Sequence, residues 1–159
     1  MKQQAHYDFR VQKAAGEQGE KLLDAFFERA YEITPATAAE QRQGIDRHFV
    51  NRATGAKLTV EYKSDSAAKR THNAFVETVS VSARGKSGWA YTSQADWLAY
   101  YVPGDELVYL IRFERLRARL TTWAARYPVR HALNDSYKTY GLIVPLEEFE
   151  RCADCVWSL

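Results

Sequence analysis

Cysteine, proline and long apolar runs are all scarce in this chain of 159 residues. The two cysteines, Cys152 and Cys155, sit in "CADC" near the end of the sequence. With no second pair and no histidine beside them, a zinc site would lack half its ligands. A redox Cys-x-x-Cys usually follows a strand and opens a helix, which this one does not do. They read as reduced thiols. The four prolines are scattered, and no repeat or low-complexity tract stands out. The opening "MKQQAHYDFR" has no apolar targeting region, and no apolar run approaches the ~20 residues of a membrane span. A soluble, cytoplasmic protein with reduced cysteines is expected. An excess of charge of one sign is also missing: 22 basic residues face 20 acidic ones, for a net charge of +2. That balance neither demands nor excludes a nucleic-acid partner, so the placement of charge must decide.

What the chain does have is a globular composition, 46% hydrophobic and 13% aromatic, long enough to bury a core within a single domain spanning 1–159. In "GEQGEKLLDAFFERAYE", Leu22, Leu23, Phe26, Phe27, Ala30 and Tyr31 recur at helical spacing. Gly16 and Gly19 project onto the same stripe, where small residues let a helix approach a sheet closely; Glu20 lies at its edge. After a polar loop containing Pro35, "GIDRHFV" and "KLTVEYKS" read as strands joined by the turn-rich "NRATGA". "NAFVETVSVS" reads as a third strand of one meander. An irregular stretch then leads to a strand from about Trp97, a buried strand "ELVYLIRF", a helix "ERLRARLTTWAARY", a short strand "GLIVPL" and a final helix from near Glu147. The class is α/β with a mixed sheet.

Alternation in "KLTVEYKS" sends Leu58, Val60 and Tyr62 to one face and Thr59, Glu61 and Lys63 to the other. If two residues, Ala53-Thr54 or Thr54-Gly55, cap the preceding turn, Asp46 lies opposite Glu61 or Lys63. Opposed residues share a face, so Asp46, Glu61 and Lys63 converge in either register. Two facing carboxylates repel and resist ionising together. A divalent cation reverses that penalty, and hard oxygen ligands suit Mg²⁺, with Mn²⁺ as a substitute. The neighbouring lysine then contacts a phosphate oxygen, or orients and activates the attacking water. Glu20 on the first helix is the candidate fourth group.

In this order and spacing, a helical Glu20, then "GID" with Asp46, then "VEYK" with Glu61 and Lys63, the chain resembles the PD-(D/E)XK nucleases. These include restriction-endonuclease-like and Holliday-junction-resolvase-like proteins. Ile45 stands where the name-giving motif has proline. The resemblance covers about Gly16 to Leu120. It implies an αβββαβ core around a mixed sheet flanked by helices, and metal-dependent endonuclease cleavage of DNA.

Other residues leave alternatives open. Glu77, on a strand face with Phe75, Val79 and Val81, extends the metal site or neutralises a buried cation. His48 shares the Asp46 face and is an accessory candidate for a phosphate. Ser93, Gln94 and Asp96 suit capping, and Ser64 and Asp65 suit a strand end. Arg47, Arg52, Lys57, Lys69, Arg70, Arg84 and Lys86 surround the meander and are candidates for DNA phosphate contacts. A second basic group, Arg112, Arg115, Arg117, Arg119 and Arg126, fits a solvated surface. With no helix-turn-helix or zinc finger to read bases, cleavage directed by DNA structure or guided by a partner protein is expected. Cutting both strands would call for two active sites, as in a homodimer. The rival reading is a nucleic-acid-binding scaffold with this fold and no catalysis.

Overall fold

A computed structural model of the chain describes residues 9–81, 84–133 and 137–159. The first helix, α1 (Phe9–Phe27), lays Leu23 and Phe27 onto a sheet and buries both. A Cβ at Gly19 would stand 2.5 Å from the Ser64 hydroxyl and 3.5 Å from the Tyr101 ring, so close approach there does require glycine. Gly16 meets nothing within 4 Å and Leu22 stays 45% exposed. The buried stripe is therefore narrower than its sequence period suggests.

The helix ends five residues earlier than the spacing predicts. Tyr31 and Glu32 belong instead to a strand, β1 (Tyr31–Pro35), paired antiparallel with β2 (Arg47–Asn51). Tyr31 gains more as a strand residue, its ring 5.0 Å from that of Phe49. Between them α2 (Ala38–Gln41) is held by a capping box from Thr37 and Glu40. Next, β2 pairs with β3 (Lys57–Ser64) so that Arg47 faces Val60 and Phe49 faces Leu58. That is the register expected for Ala53-Thr54 at the tip, although the loop spans four residues closed by an Asn51–Ala56 bond.

The three-stranded meander is thus β1-β2-β3, and "NAFVETVSV" is not its third member. After α3 (Ala68–Thr71), β4 (Asn73–Val81) leaves the central sheet and pairs with β9 (Lys138–Pro145) and β5 (Lys86–Ser87). Ser82, at the predicted end of this strand, lies outside the described residues. The chain re-enters the central sheet after α4 (Trp89–Thr92) through β6 (Trp97–Val102), parallel to β3. Then β7 (Leu107–Arg112) and the C-terminal β10 (Cys155–Ser158) complete the order β1-β2-β3-β6-β7-β10. The second sheet runs β5-β4-β9-β8, with β8 at Val129–Leu133. The architecture is α/β with a mixed central sheet flanked by helices.

Alternation in β6 divides two cores. Ala99 and Tyr101 join Leu23, Phe27, Val60 and Tyr62 under α1. Leu98, Tyr100 and Val102 join Val76, Leu142 and Val144 of the second sheet. Trp123 of α5 (Phe113–Arg126) and Phe149 of α6 (Leu146–Cys152) complete that second core. Cys152 is buried within it, and burial pushes its thiol up. Both cysteines are free thiols. Among the described residues, no helix is long and apolar enough to cross a membrane.

Candidate active site

The site grows from the middle of β3, where Glu61 pairs with Leu98 and Lys63 with Tyr100. Both side chains therefore face the second sheet, away from α1. Lys63 Nζ lies 2.7 Å from Glu61 Oε1. The other oxygen, Glu61 Oε2, is buried and has no hydrogen-bond partner. Leaving a carboxylate oxygen in that state costs about 1–3 kcal/mol. Burial pushes the Glu61 carboxyl above its ordinary range, against the pull of Lys63 and Ser93, with Asp46 raising it further.

Asp46 stands one residue before the last β2–β3 pair. Its amide donates to the Val60 carbonyl, and its Oδ2 accepts the Tyr62 amide at 2.7 Å. That bond fixes the side chain at the sheet end beside Glu61. Its field reaches both Glu61 and Lys63. Lys63 keeps about a third of its side chain exposed. The protein around it works to lower the ammonium's pKa, but Glu61, Asp46 and Glu77 outweigh that and hold it raised.

Glu77 arrives from β4, where the register with β9 shifts between Glu77 and Val79. The simple alternation that grouped it with Val79 and Val81 fails at this bulge. Its carboxyl is raised by burial, with Lys63 opposing, and it feels Glu61 directly. The Lys63 charge reaches it, without an ion pair among the described residues, and the Trp89 amide and Ser80 are its hydrogen-bond neighbours.

Glu20 is not brought to this cluster. It pairs with Arg47 at 2.9 Å, and Arg47 also forks onto Asp24 and lies 5.3 Å from the Tyr62 ring centroid. Tyr62 donates its hydroxyl to Asp24. This network occupies the α1 face, on the opposite side of the sheet from Glu61 and Lys63. Arg47, expected at a phosphate, is only 11% exposed and committed to these two acids. His48 shares the Asp46 parity but engages Glu40 at 3.1 Å. Lys69 reaches the Gly104 carbonyl and Asp105. Arg52 donates to the Glu28 carbonyl, while Arg70, Arg84 and Lys86 are exposed.

Two supporting residues carry no local sequence signal as site residues. Buried Ser93 gives its hydroxyl proton to the Gly44 carbonyl, which leaves Glu61 Oε2 unpaired, yet its dipole still pulls the Glu61 carboxyl down. Arg117 on α5 donates to the carbonyls of Ala90 and Ser93, and its charge reaches Glu61. Gly44 adopts φ +78°, and a Cβ there would stand 3.0 Å from Glu61 Oε2. Nearby, Asp96 caps the start of β6 by accepting the amide and hydroxyl of Thr59. Asp65 ends β3 by accepting the amides of Ala67 and Ala68, with its second oxygen on the Tyr100 hydroxyl.

Among the described residues, no three His, Cys, Asp or Glu side chains gather closely enough to hold a metal by themselves. The pair Asp46 and Glu61 nonetheless fits a hard divalent cation, because an orphaned buried carboxylate oxygen is what such an ion would satisfy. An open cleft of about 550 Å³ lies toward the other end of β3, lined by residues including Lys57, Asp96, Trp97, Arg112 and Arg117. Its two acids are already engaged, Asp96 by the Thr59 amide and hydroxyl and Glu114 by Arg112, so the candidate site is placed at the β3 acids.

No family model matches the chain, and no curated protein matches it. Among solved structures, it is similar to a bacterial homing endonuclease, I-Ssp6803I. The two are 16% identical, with a TM-score of 0.48, over 70% of this chain and 73% of that one.

Proposed function

We propose that this protein is a Mg²⁺-dependent deoxyribonuclease of the PD-(D/E)XK type, cutting DNA phosphodiester bonds. The observation that carries the reading is Glu61 Oε2, buried without a partner beside Asp46, while its sister oxygen holds Lys63 at 2.7 Å. A structural carboxylate would have both oxygens satisfied. Asp46 and Glu61 are the residues that would hold the ion. When bound, such an ion polarises a phosphoryl oxygen and makes water more acidic. Two carboxylates are what Mg²⁺ usually takes from a protein, the rest coming from water and phosphate oxygens.

Lys63, kept cationic by three acids, orients the attacking water or holds a non-bridging phosphate oxygen. Glu77 adds a third negative charge to the field around Lys63 from the second sheet. Glu20, expected as a direct or water-mediated helper, instead holds Arg47 and acts through the α1 packing. Substrate choice rests on DNA shape or a partner protein.

The test is incubation of supercoiled, linear and branched DNA with Mg²⁺ or Mn²⁺. Cleavage that disappears in Asp46→Ala and in Lys63→Ala supports the assignment; cleavage that survives both overturns it. The second reading, a DNA-binding protein without catalysis, is favoured by the absence of a third clustered ligand among the described residues. Binding with no cleavage on any substrate and metal would establish it.

A further inference from the structure

We propose that Arg117 is a positioning residue of the active site: from α5 it clamps the segment joining α4 to β6, and through that segment it holds the turn before Asp46 against Glu61. This deepens the nuclease reading and rests on it for the reaction served. In sequence Arg117 is one of a row of arginines that fit a solvated surface. In the fold it is half-buried, its guanidinium 4.9 Å from the Phe113 ring centroid one turn earlier. Among the described residues it makes no ion pair, whereas Arg112, Arg115 and Arg151 are each tied to acids. Its bonds go to main-chain carbonyls instead, Nε to Ala90 at 3.2 Å and Nη2 to Ser93. Those carbonyls lie at the end of α4, a helix of four residues that is too short to hold its shape alone. By contrast α5 is anchored through Leu116, Leu120 and Trp123, all buried in the second core. The guanidinium fork thus ties a weak element to a rigid one at two points of fixed geometry.

From the clamped segment two bonds reach the turn before Asp46. The Ser93 hydroxyl donates to the Gly44 carbonyl at 2.9 Å, and the Gln94 amide donates to the Gln43 carbonyl at 2.8 Å. Gly44 is thereby pressed between Ser93 and Glu61. A Cβ there would stand 2.9 Å from the Ser93 hydroxyl oxygen and 3.0 Å from Glu61 Oε2. Asp46 follows two residues later, its amide on the Val60 carbonyl. Both carboxylates therefore take their spacing from a segment that Arg117 holds. The Arg117 charge also reaches Glu61 while its hydrogen bonds are spent on carbonyls, so it favours the ionised acid without occupying either oxygen. Residues that orient metal ligands from outside in this way typically govern affinity for the ion.

The experiment has two readouts, both taken well below the Tm of each variant. The first is amide hydrogen exchange by NMR in EDTA. Arg117→Ala should speed exchange of the Gln94 and Asp46 amides about tenfold, while the Arg52 amide, on the distant Ala30 carbonyl, keeps its rate. The second is Mn²⁺ affinity by calorimetry. Arg117→Ala should bind the ion roughly 10–100-fold more weakly. Arg117→Lys, which keeps the charge and a donor, recovers part of that loss, and Arg119→Ala on the exposed side of α5 loses none. Because Arg117 and Ser93 act in series, Arg117→Ala/Ser93→Ala loses no more than about the larger single loss. Wild-type exchange at Gln94 and Asp46 in Arg117→Ala overturns the clamp. So do losses of affinity that multiply in the double variant. A wild type that binds Mn²⁺, with Arg117→Ala binding it equally, removes the clamp alone. A wild type that takes up neither Mn²⁺ nor Mg²⁺, with exchange still accelerated in Arg117→Ala, removes the nuclease reading and leaves the clamp.

Discussion

Glu61→Gln separates a metal-binding carboxylate from a merely buried one. In the metal-free protein, Glu61 ionises against burial, so its folded pKa lies above its unfolded value. The folded state then holds a proton that the unfolded state has released. Stability falls as pH rises from the unfolded value through the raised folded one, and the deficit persists at neutral pH. Gln removes the charge but keeps a polar atom at the orphaned position, so the unpaired-group cost of about 1–3 kcal/mol stays. It relieves the cost of ionising a buried carboxyl and gives up the pairing with Lys63, worth roughly 1 kcal/mol at most, since Lys63 is a third exposed and stays in the field of Asp46 and Glu77. Metal-free Glu61→Gln therefore stays within about 1 kcal/mol of wild type at neutral pH, or about 2–4 °C in Tm for a domain of this size, and lacks the fall in stability with rising pH. Divalent metal separates the two. At 100 times its Kd an ion adds about 2.7 kcal/mol to the wild type, or roughly 5–11 °C, and adds nothing to Glu61→Gln. The assay is thermal unfolding by circular dichroism at several pH values, with and without Mg²⁺ or Mn²⁺. A wild type that no concentration of either ion shifts, or a Glu61→Gln protein shifted equally, refutes the reasoning.

Arg47→Ala should lower stability by about 2–3 kcal/mol in denaturant titration, because it leaves Asp24 and Glu20 unpaired and uncovers Tyr62. The exposure of Glu20 holds the loss below that of a fully buried pair. The variant's DNA affinity, measured well below its Tm, should stay near wild type. Gly44→Ala should cost more than ~1 kcal/mol, since φ +78° suits glycine and the new methyl meets the Ser93 Cα at 2.9 Å. Calorimetry should also show weakened metal binding, because the methyl crowds Glu61 Oε2. Asp154, although burial opposes it, is held below its ordinary pKa by Arg112 and Arg115. The stability it contributes is present above the unfolded value near 3.8 and drains away as pH falls through the lower folded value. Asp154→Asn should therefore lose about 2 kcal/mol at neutral pH, with the gap to wild type closing in acid.

Strand β3 was legible to the residue, because strict alternation in "KLTVEYKS" admits one division of faces. Asp46 followed from hairpin parity, which the four-residue loop preserved because it too is even. Arg47 was misread because a surface arginine and a buried one look alike in sequence, and the acids that claim it come from a helix packed across the sheet. Strand β1 hid behind a helical spacing that its pairing with β2 overrode. Glu77 could not be assigned because a bulge breaks the alternation on which its face was judged.

The sequence by itself determined the local periods: which residues of β3 alternate, that the first helix packs Leu23 and Phe27, and that an acid and a lysine share one face of β3. Those depend on backbone geometry within a few residues. Only the tertiary structure decided that β4 leaves the meander for a second sheet, that Glu20 meets Arg47 while the Glu77 charge reaches Lys63, and that Ser93 and Arg117 act on Glu61. Each joins segments far apart in the chain, fixed by how two cores fill on opposite sides of one sheet. No local pattern records that choice.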